Sequence, residues 1–243
     1  MEKNLILLFG CTVLKIVALS LLGYFLINKW KRQSKKYYTD FPFLMSITFF
    51  GYALAKIYDL CLYYIFRDTP DLELLTEFDP TLLIIVKIRF VLCPVLVIAP
   101  YLVLMMMIWF QDRVRTQKII GVSWIILSLL SIIVVQNYSQ ILIVNALVAF
   151  PIILLSIISF FVLNHQKKLH EINSLVLAIA WSLYVCTQLL RPLWITLGSG
   201  TWGLTWVGEL VELLTLVMIG IGFIIPANYR KIQGTNLMKT AVY

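Results

Sequence analysis

Charged residues are scarce in this chain. Asp, Glu, Lys and Arg make up 13% of its 243 residues, against about 25% in soluble domains, too few to coat a water-exposed globule. Alternating segments of about ten residues, the mark of an outer-membrane barrel, are also missing. The four cysteines (Cys11, Cys61, Cys93, Cys186) show neither CxxC nor CxxH spacing, so they read as small packing residues rather than a metal site. Cys61 and Cys186 fall toward the outer ends of their spans, where a disulfide is conceivable. Both histidines, His165 and His170, lie in one short polar segment, so no histidine pair is available for haem inside the apolar spans. No Ser–His dyad, zinc-protease helix or Gly-rich phosphate loop can be assembled, and the last span carries no lysine for a retinal Schiff base. Catalytic residue, metal and cofactor are therefore all expected to be none, and an enzyme has little to rest on.

What is present is hydrophobic: 61% of the chain, in runs of eighteen or more mostly apolar residues along the whole length. The chain reads as all-α, a polytopic membrane protein with spans at about 5–27, 41–66, 81–110, 119–135, 139–163, 173–197 and 203–226. The gaps are short, which predicts a single seven-helix bundle over 1–243 without a soluble domain. No internal repeat of the kind common in transporters stands out. The third span exceeds the roughly twenty residues needed to cross. Pro94 and Pro100 are candidate kinks in it, as are Pro151 and Pro192 in spans five and six.

The net charge of +8 follows from loop placement and is not a nucleic-acid footprint. Lys29, Lys31, Arg32, Lys35, Lys36, Arg113, Arg115, Lys118, Lys167, Lys168, Arg230, Lys231 and Lys239 fall on one side of the seven spans, and only Lys3 and Arg67 on the other. The positive-inside rule then puts the N-terminus outside and the C-terminus in the cytoplasm. The first span carries Lys15 within its apolar core and ends at basic residues, so it reads as a span rather than a cleaved signal peptide. The run Leu8-Phe9-Gly10-Cys11 resembles a lipoprotein cleavage box with too few apolar residues before it.

Against this apolar background, eight ionisable side chains fall inside spans: Lys15, Lys56, Asp59, Lys87, Arg89, Arg191, Glu209 and Glu212. Each costs ~2.5–3.5 kcal/mol at a helix centre unless it faces protein or water. A rise of about 1.5 Å per residue places Asp59 ~10 Å below the outer surface, with Lys87, Arg89, Arg191, Glu209 and Glu212 at comparable depth and Lys56 and Lys15 deeper. Lys56 and Asp59 are i, i+3 and share a helix face, as do Glu209 and Glu212. Two neighbouring carboxylates need bases opposite, and Lys87 or Arg89 together with Arg191 are the expected partners. Lys87 and Arg89 are about 200° apart around a helix, so one of them should reach away to the interface. Tyr52 and Tyr58 are the expected pocket walls. Tyr63, Tyr64, Trp194, Trp202 and Trp206 read as interfacial belt.

Two family resemblances rest on short stretches. The run from Lys87-Ile-Arg-Phe-Val-Leu-Cys-Pro through Pro100-Tyr-Leu to Trp109-Phe-Gln-Asp-Arg113 resembles the third helix of the seven-helix sensor region of membrane histidine kinases. Asp112-Arg113-Val114, Phe150-Pro151 and Pro226-Ala-Asn-Tyr229 are similar to motifs of G-protein-coupled receptors. Both resemblances imply a sensory or receptor-like protein. Its outward polar pocket would take a small polar or charged ligand. Its basic cytoplasmic face (Arg113, Arg115, Lys167, Lys168, Arg230, Lys231) would meet a signalling protein. That face also suits anionic lipid. The expected location is the cell membrane, multi-pass, with the lipid bilayer as constant partner and no nucleic acid. Two other classes fit the same charges: a small transporter or ion or proton pathway, and a structural subunit of an oligomer or larger membrane complex.

Overall fold

The computed structural model describes residues 3–65, 80–110, 113–167, 172–197 and 203–226. All regular structure among the described residues is helical. In chain order the helices are α1 (Lys3–Lys31), α2 (Phe41–Ile65), α3 (Pro80–Leu92), a π-helical turn (Cys93–Ile98), α4 (Ala99–Trp109), α5 (Val114–Val134), α6 (Tyr138–His165), α7 (Ser174–Leu189), α8 (Arg191–Thr196) and α9 (Thr205–Ile224). Among the described residues six helices are long and apolar enough to cross a membrane, α3, the π turn and α4 counting as one over Thr81–Trp109; α7 is a shorter apolar helix.

The contacts close a ring. Helix α1 packs on α2 and α9, α9 on α7, α7 on α6, and α6 on the α3–α4 rod, which returns to α2. Helix α5 lies outside the ring, and only Ser128 and Ile132 of it are buried. Its other faces, with Ile126, Leu127, Leu130, Ile133 and Val134 exposed, suit lipid. Helix α1 buries a narrow stripe of Leu5, Leu8, Thr12, Lys15, Leu19, Gly23 and Leu26. Steps of three and four along it make a coiled-coil-like seam, and Lys15 occupies a seam position.

The long third span keeps its length by changing its winding at the prolines. Pro94 and Pro100 have no N–H, so the carbonyls four residues earlier lose their donors. The chain takes the π turn between them, a device that absorbs such a mismatch inside a continuous rod. Span six behaves otherwise. Rather than running 173–197, its helix stops at Leu189, and Leu190 caps it while Arg191 opens α8. Pro192 cannot donate to continue α7 but is well suited to the first turn of a new helix.

Two apolar clusters divide the bundle by height. The larger contains Leu19, Leu26, Met45, Phe49, Met105, Trp181, Leu216 and Phe223. The smaller, at the other end, contains Leu5, Leu8, Leu62, Val86, Phe90 and Ile132. The ionisable side chains lie between them along α1, α2, α3 and α9.

Candidate functional site: a buried charge layer

Seven of the eight expected charges converge. Lys15 from α1, Lys56 and Asp59 from α2, Arg89 from α3, Arg191 from α8, and Glu209 and Glu212 from α9 form one connected cluster of ion pairs. Glu209 is its hub. It accepts from Lys15, from Lys56 Nζ at 3.0 Å and from Arg191 at 2.7 Å. The Tyr63 hydroxyl adds a longer contact at 3.4 Å. Glu212 pairs with Lys15 at 2.8 Å and accepts from the Tyr52 hydroxyl, with Lys56 at 3.9 Å and Arg191 at 4.0 Å. Asp59 bridges Lys56 at 3.0 Å and Arg89, whose Nε and guanidinium N–H engage both carboxylate oxygens at 2.7 and 3.1 Å. That two-point match is the strong form of a carboxylate–Arg pair. The Arg89 guanidinium also lies 4.6 Å from the Phe90 ring centre, and Lys56 Nζ 5.9 Å from that of Tyr52.

The expected partners of the two glutamates need correction. Arg191 does reach them, but Arg89 goes to Asp59. Lys87 leaves the cluster altogether and donates to the Ile133 carbonyl of α5 at 2.9 Å. The base opposite the glutamates is instead Lys15, which is fully buried, not set below them. Helix geometry explains the exchange: Arg89 and Lys87 face opposite ways, while Lys15 lies on the α1 seam that meets α9. Of the two expected pocket walls, Tyr52 touches the cluster through Glu212 and Tyr58 makes no described polar contact. Tyr63, read as interfacial belt, is buried against Glu209. Its spacing carried the signal, since it follows Asp59 by four residues and Lys56 by seven on one face.

The layer is close to sealed. Lys15 and Lys56 are 0% exposed and Glu209 and Glu212 2%, whereas the Arg191 side chain is 32% exposed and that of Arg89 14%. Arg191 is thus the most exposed member of the layer. Its position follows from the break at Leu190, which starts α8 at this residue. Close packing holds α8 on α9, since a Cβ at Gly208 would lie 2.9 Å from Trp194 Cδ1. Replacing a buried pair by apolar groups is often neutral, but removing one partner leaves an uncompensated charge. Every member of this layer is therefore committed to its neighbours.

Toward the larger apolar cluster the polarity continues through neutral groups. Tyr52 Oη is 3.1 Å from Tyr184 Oη. Both line a cavity of about 20 Å³ shared with Thr48, Tyr101 and Trp181. Phe49 lines it too, and with Met45, Met105 and Phe223 belongs to the larger apolar cluster. All four cysteines are free thiols, so Cys61 and Cys186 form no disulfide. No metal-binding group of His, Cys, Asp and Glu occurs among the described residues.

On the other flank of the spans, Arg113, Arg115 and Lys167 are exposed, while Lys168, Arg230 and Lys231 lie outside the described residues. Lys29 donates to the Phe223 carbonyl at 3.3 Å and so serves the C-terminal end of α9. No family model, curated protein or solved structure matches the chain, and the two resemblances are carried by their short stretches alone.

Proposed function

We propose that this is a seven-transmembrane sensory or receptor-like protein of the cell membrane, with the N-terminus outside and the C-terminus cytoplasmic. In this reading α7 together with α8 makes the remaining crossing of a single seven-helix domain. One observation carries the proposal: a continuous ion-pair cluster joins five helices, and only one member, Arg191, is substantially open to the exterior. A polar ligand that engages Arg191 draws it from Glu209 and leaves that carboxylate to Lys15 and Lys56. The pairing between α8, α9, α1 and α2 then changes at a single point. A local electrostatic change acting on packed helices is the usual form of a membrane switch. Lys15, Lys56, Asp59, Arg89, Glu209 and Glu212 are the responding network, with Lys87 outside it. The basic face of Arg113, Arg115, Lys167, Lys168, Arg230 and Lys231 is the side offered to a cytoplasmic partner.

The test is a pair of spin labels at Ser34 and Lys118 in reconstituted protein, compared between wild type and Arg191→Gln. The sensory reading expects a shifted distance distribution with the helices intact. An unchanged distribution with only a lower melting temperature makes the network structural. The second reading, a small transporter or proton pathway, draws on the hydroxyls of Tyr52 and Tyr184 inward of Glu212. Against it, Met45, Phe49, Met105 and Phe223 of the larger apolar cluster supply no group that carries a proton.

A further inference from the structure

The connection between α1 and α2 concentrates positive charge that the buried layer does not use. Over residues 28–40 the chain carries Lys29, Lys31, Arg32, Lys35 and Lys36 against a single acid, Asp40. Lys29 turns back to the Phe223 carbonyl of α9. Asp40 gives a carboxylate oxygen to the Tyr37 backbone N–H at 2.9 Å. Lys31, Arg32, Lys35 and Lys36 are exposed, and none of them pairs with a carboxylate among the described residues.

The segment that presents these four bases is built, not slack. The Arg32 and Gln33 N–H groups close the end of α1 onto the Asn28 and Trp30 carbonyls at 3.2 and 3.1 Å. The Asp40 N–H returns to the Tyr37 carbonyl at 3.1 Å, and the Trp30 indole donates to that same carbonyl at 3.0 Å. The rings of Trp30, Tyr38 and Phe43 then pack on one another, their centroids 4.8 to 6.0 Å apart. Phe41, the first residue of α2, anchors the far end against Phe160 and Phe223 of the larger cluster. Tyr37 and Tyr38 nevertheless remain 59% and 75% exposed.

Depth selects the partner. Tyr24 and Phe25 of α1 are exposed on a helix apolar enough to cross a membrane, and so face acyl chains. Lys31 follows Phe25 by six residues, a rise of ~9 Å, which sets the bases at the level of the lipid headgroups. Tyr and Trp rings favour the same level, with the ring in the ester region and the polar tip in water. Bases and exposed phenols on one short connection therefore match a phospholipid better than a soluble acidic protein, which has no use for the rings.

We propose that connection 32–40, together with Lys31, is a docking site for an anionic phospholipid. Lys31, Arg32, Lys35 and Lys36 hold the headgroup phosphate, and the Trp30–Tyr38–Phe43 stack fixes the backbone that presents them. A cluster of four bases at the end of a span is the usual size of such a site. It uses none of the residues of the face offered to a cytoplasmic partner. It holds for either orientation of the bundle and for either reading of the charge layer.

The test uses the full chain, freed of its native cysteines and labelled with bimane at Ser34→Cys, in phosphatidylcholine nanodiscs. A nitroxide-bearing phosphatidylglycerol should quench this label more strongly than the matching phosphatidylcholine, by about fivefold in relative association. At Gln136→Cys, beside Val135 of the smaller cluster and so toward the other end of the bundle, the two lipids should quench alike. Replacing Lys31, Arg32, Lys35 and Lys36 by Gln together should bring the Ser34 ratio to parity. Diffuse attraction to a basic flank would also respond to that change, so the deciding variants keep every base. Trp30→Leu breaks the stack and the indole bond. Tyr38→Ser breaks the stack from a largely exposed position with little risk to folding. Each should lower the ratio toward parity. Equal quenching by the two lipids at Ser34 in wild type overturns the proposal. So does a ratio that survives the fourfold Gln variant, or one that both Trp30→Leu and Tyr38→Ser leave unchanged.

Discussion

Glu209 holds more of the charge layer together than any other side chain. Lys15, Lys56 and Arg191 all converge on its two oxygens, and two of those cations have no exposure to water. Glu209→Gln keeps the shape and removes the charge, so three bases lose their common counter-ion. Breaking a buried network in this way costs about 3–5 kcal/mol, and the loss should appear as a lower midpoint in detergent-induced unfolding. Lys15→Met in the Glu209→Gln background removes one orphaned cation, and should recover part of that loss through a coupling of about 0.5–3 kcal/mol. Lys87→Gln supplies the contrast. Among the described residues that side chain holds a backbone carbonyl of α5 alone, and its loss should fall within about 0.5 kcal/mol of neutral. Equal costs for Glu209→Gln and Lys87→Gln would contradict the geometry. The ionisable residues of this layer were legible in the sequence because charge inside an apolar span stands out unaided. Their pairing was legible only for Lys56 with Asp59 on one helix face and for Arg191 with the glutamates; Lys15, Arg89 and Lys87 went elsewhere than expected. Which helix stands opposite another is a tertiary fact, and spacing along one chain segment is silent on it.

At the scale of elements, α2 and the π turn come into close backbone contact at Gly51. A Cβ at Gly51 would lie 2.4 Å from Leu96 Cβ and 3.0 Å from its carbonyl oxygen, so the glycine is what lets the two backbones touch. Part of the obstacle is main chain and cannot rotate away. Gly51→Ala should therefore destabilise by about 1–3 kcal/mol, the range for overpacking. Gly121→Ala on α5, where the added methyl meets nothing within 4 Å, should instead gain roughly 0.5–1 kcal/mol from helix propensity. Thermal melts of both variants in one detergent make the comparison. Two prolines six residues apart in span three announced a departure from straight helix, and the π turn is the form it takes. Prolines alone do not say whether the chain will rewind, as at Pro94, or stop and restart, as beside Pro192. The residues C-terminal to each proline decide between the two. Beyond the π turn, the apolar run continues through Ala99–Trp109. Beyond α7, α8 adds six helical residues and ends at Thr196, and the Leu204 N–H donates to the Trp194 carbonyl at 2.9 Å.

For the whole molecule, the number of crossings turns on α7. Its sixteen residues rise about 24 Å, short of a hydrocarbon core of about 30 Å. The turn of α8 or a locally thinner bilayer must supply the rest. Hydropathy alone merged the two into one span, because the run is apolar throughout and only the Arg191-Pro192 pair marks the joint. Single cysteines placed in a background freed of the four native ones read the topology directly. An impermeant maleimide applied to intact cells should label Gln136→Cys and Leu197→Cys, both exposed positions on the outer side of the proposed seven-helix arrangement. Ser34→Cys and Gln166→Cys, exposed positions at the opposite ends, should react only after the cells are opened. If Gln166→Cys and Leu197→Cys label from the same side, α7 does not cross and the chain has six spans. Arg191 would then no longer sit at an outer mouth on the strength of the charge bias, and the sensory reading would lose its entry point. If all four sites label from the sides opposite to those expected, the bundle is inverted. The partly exposed Arg191 would then face the cytoplasm, and its ligand would have to be sought there.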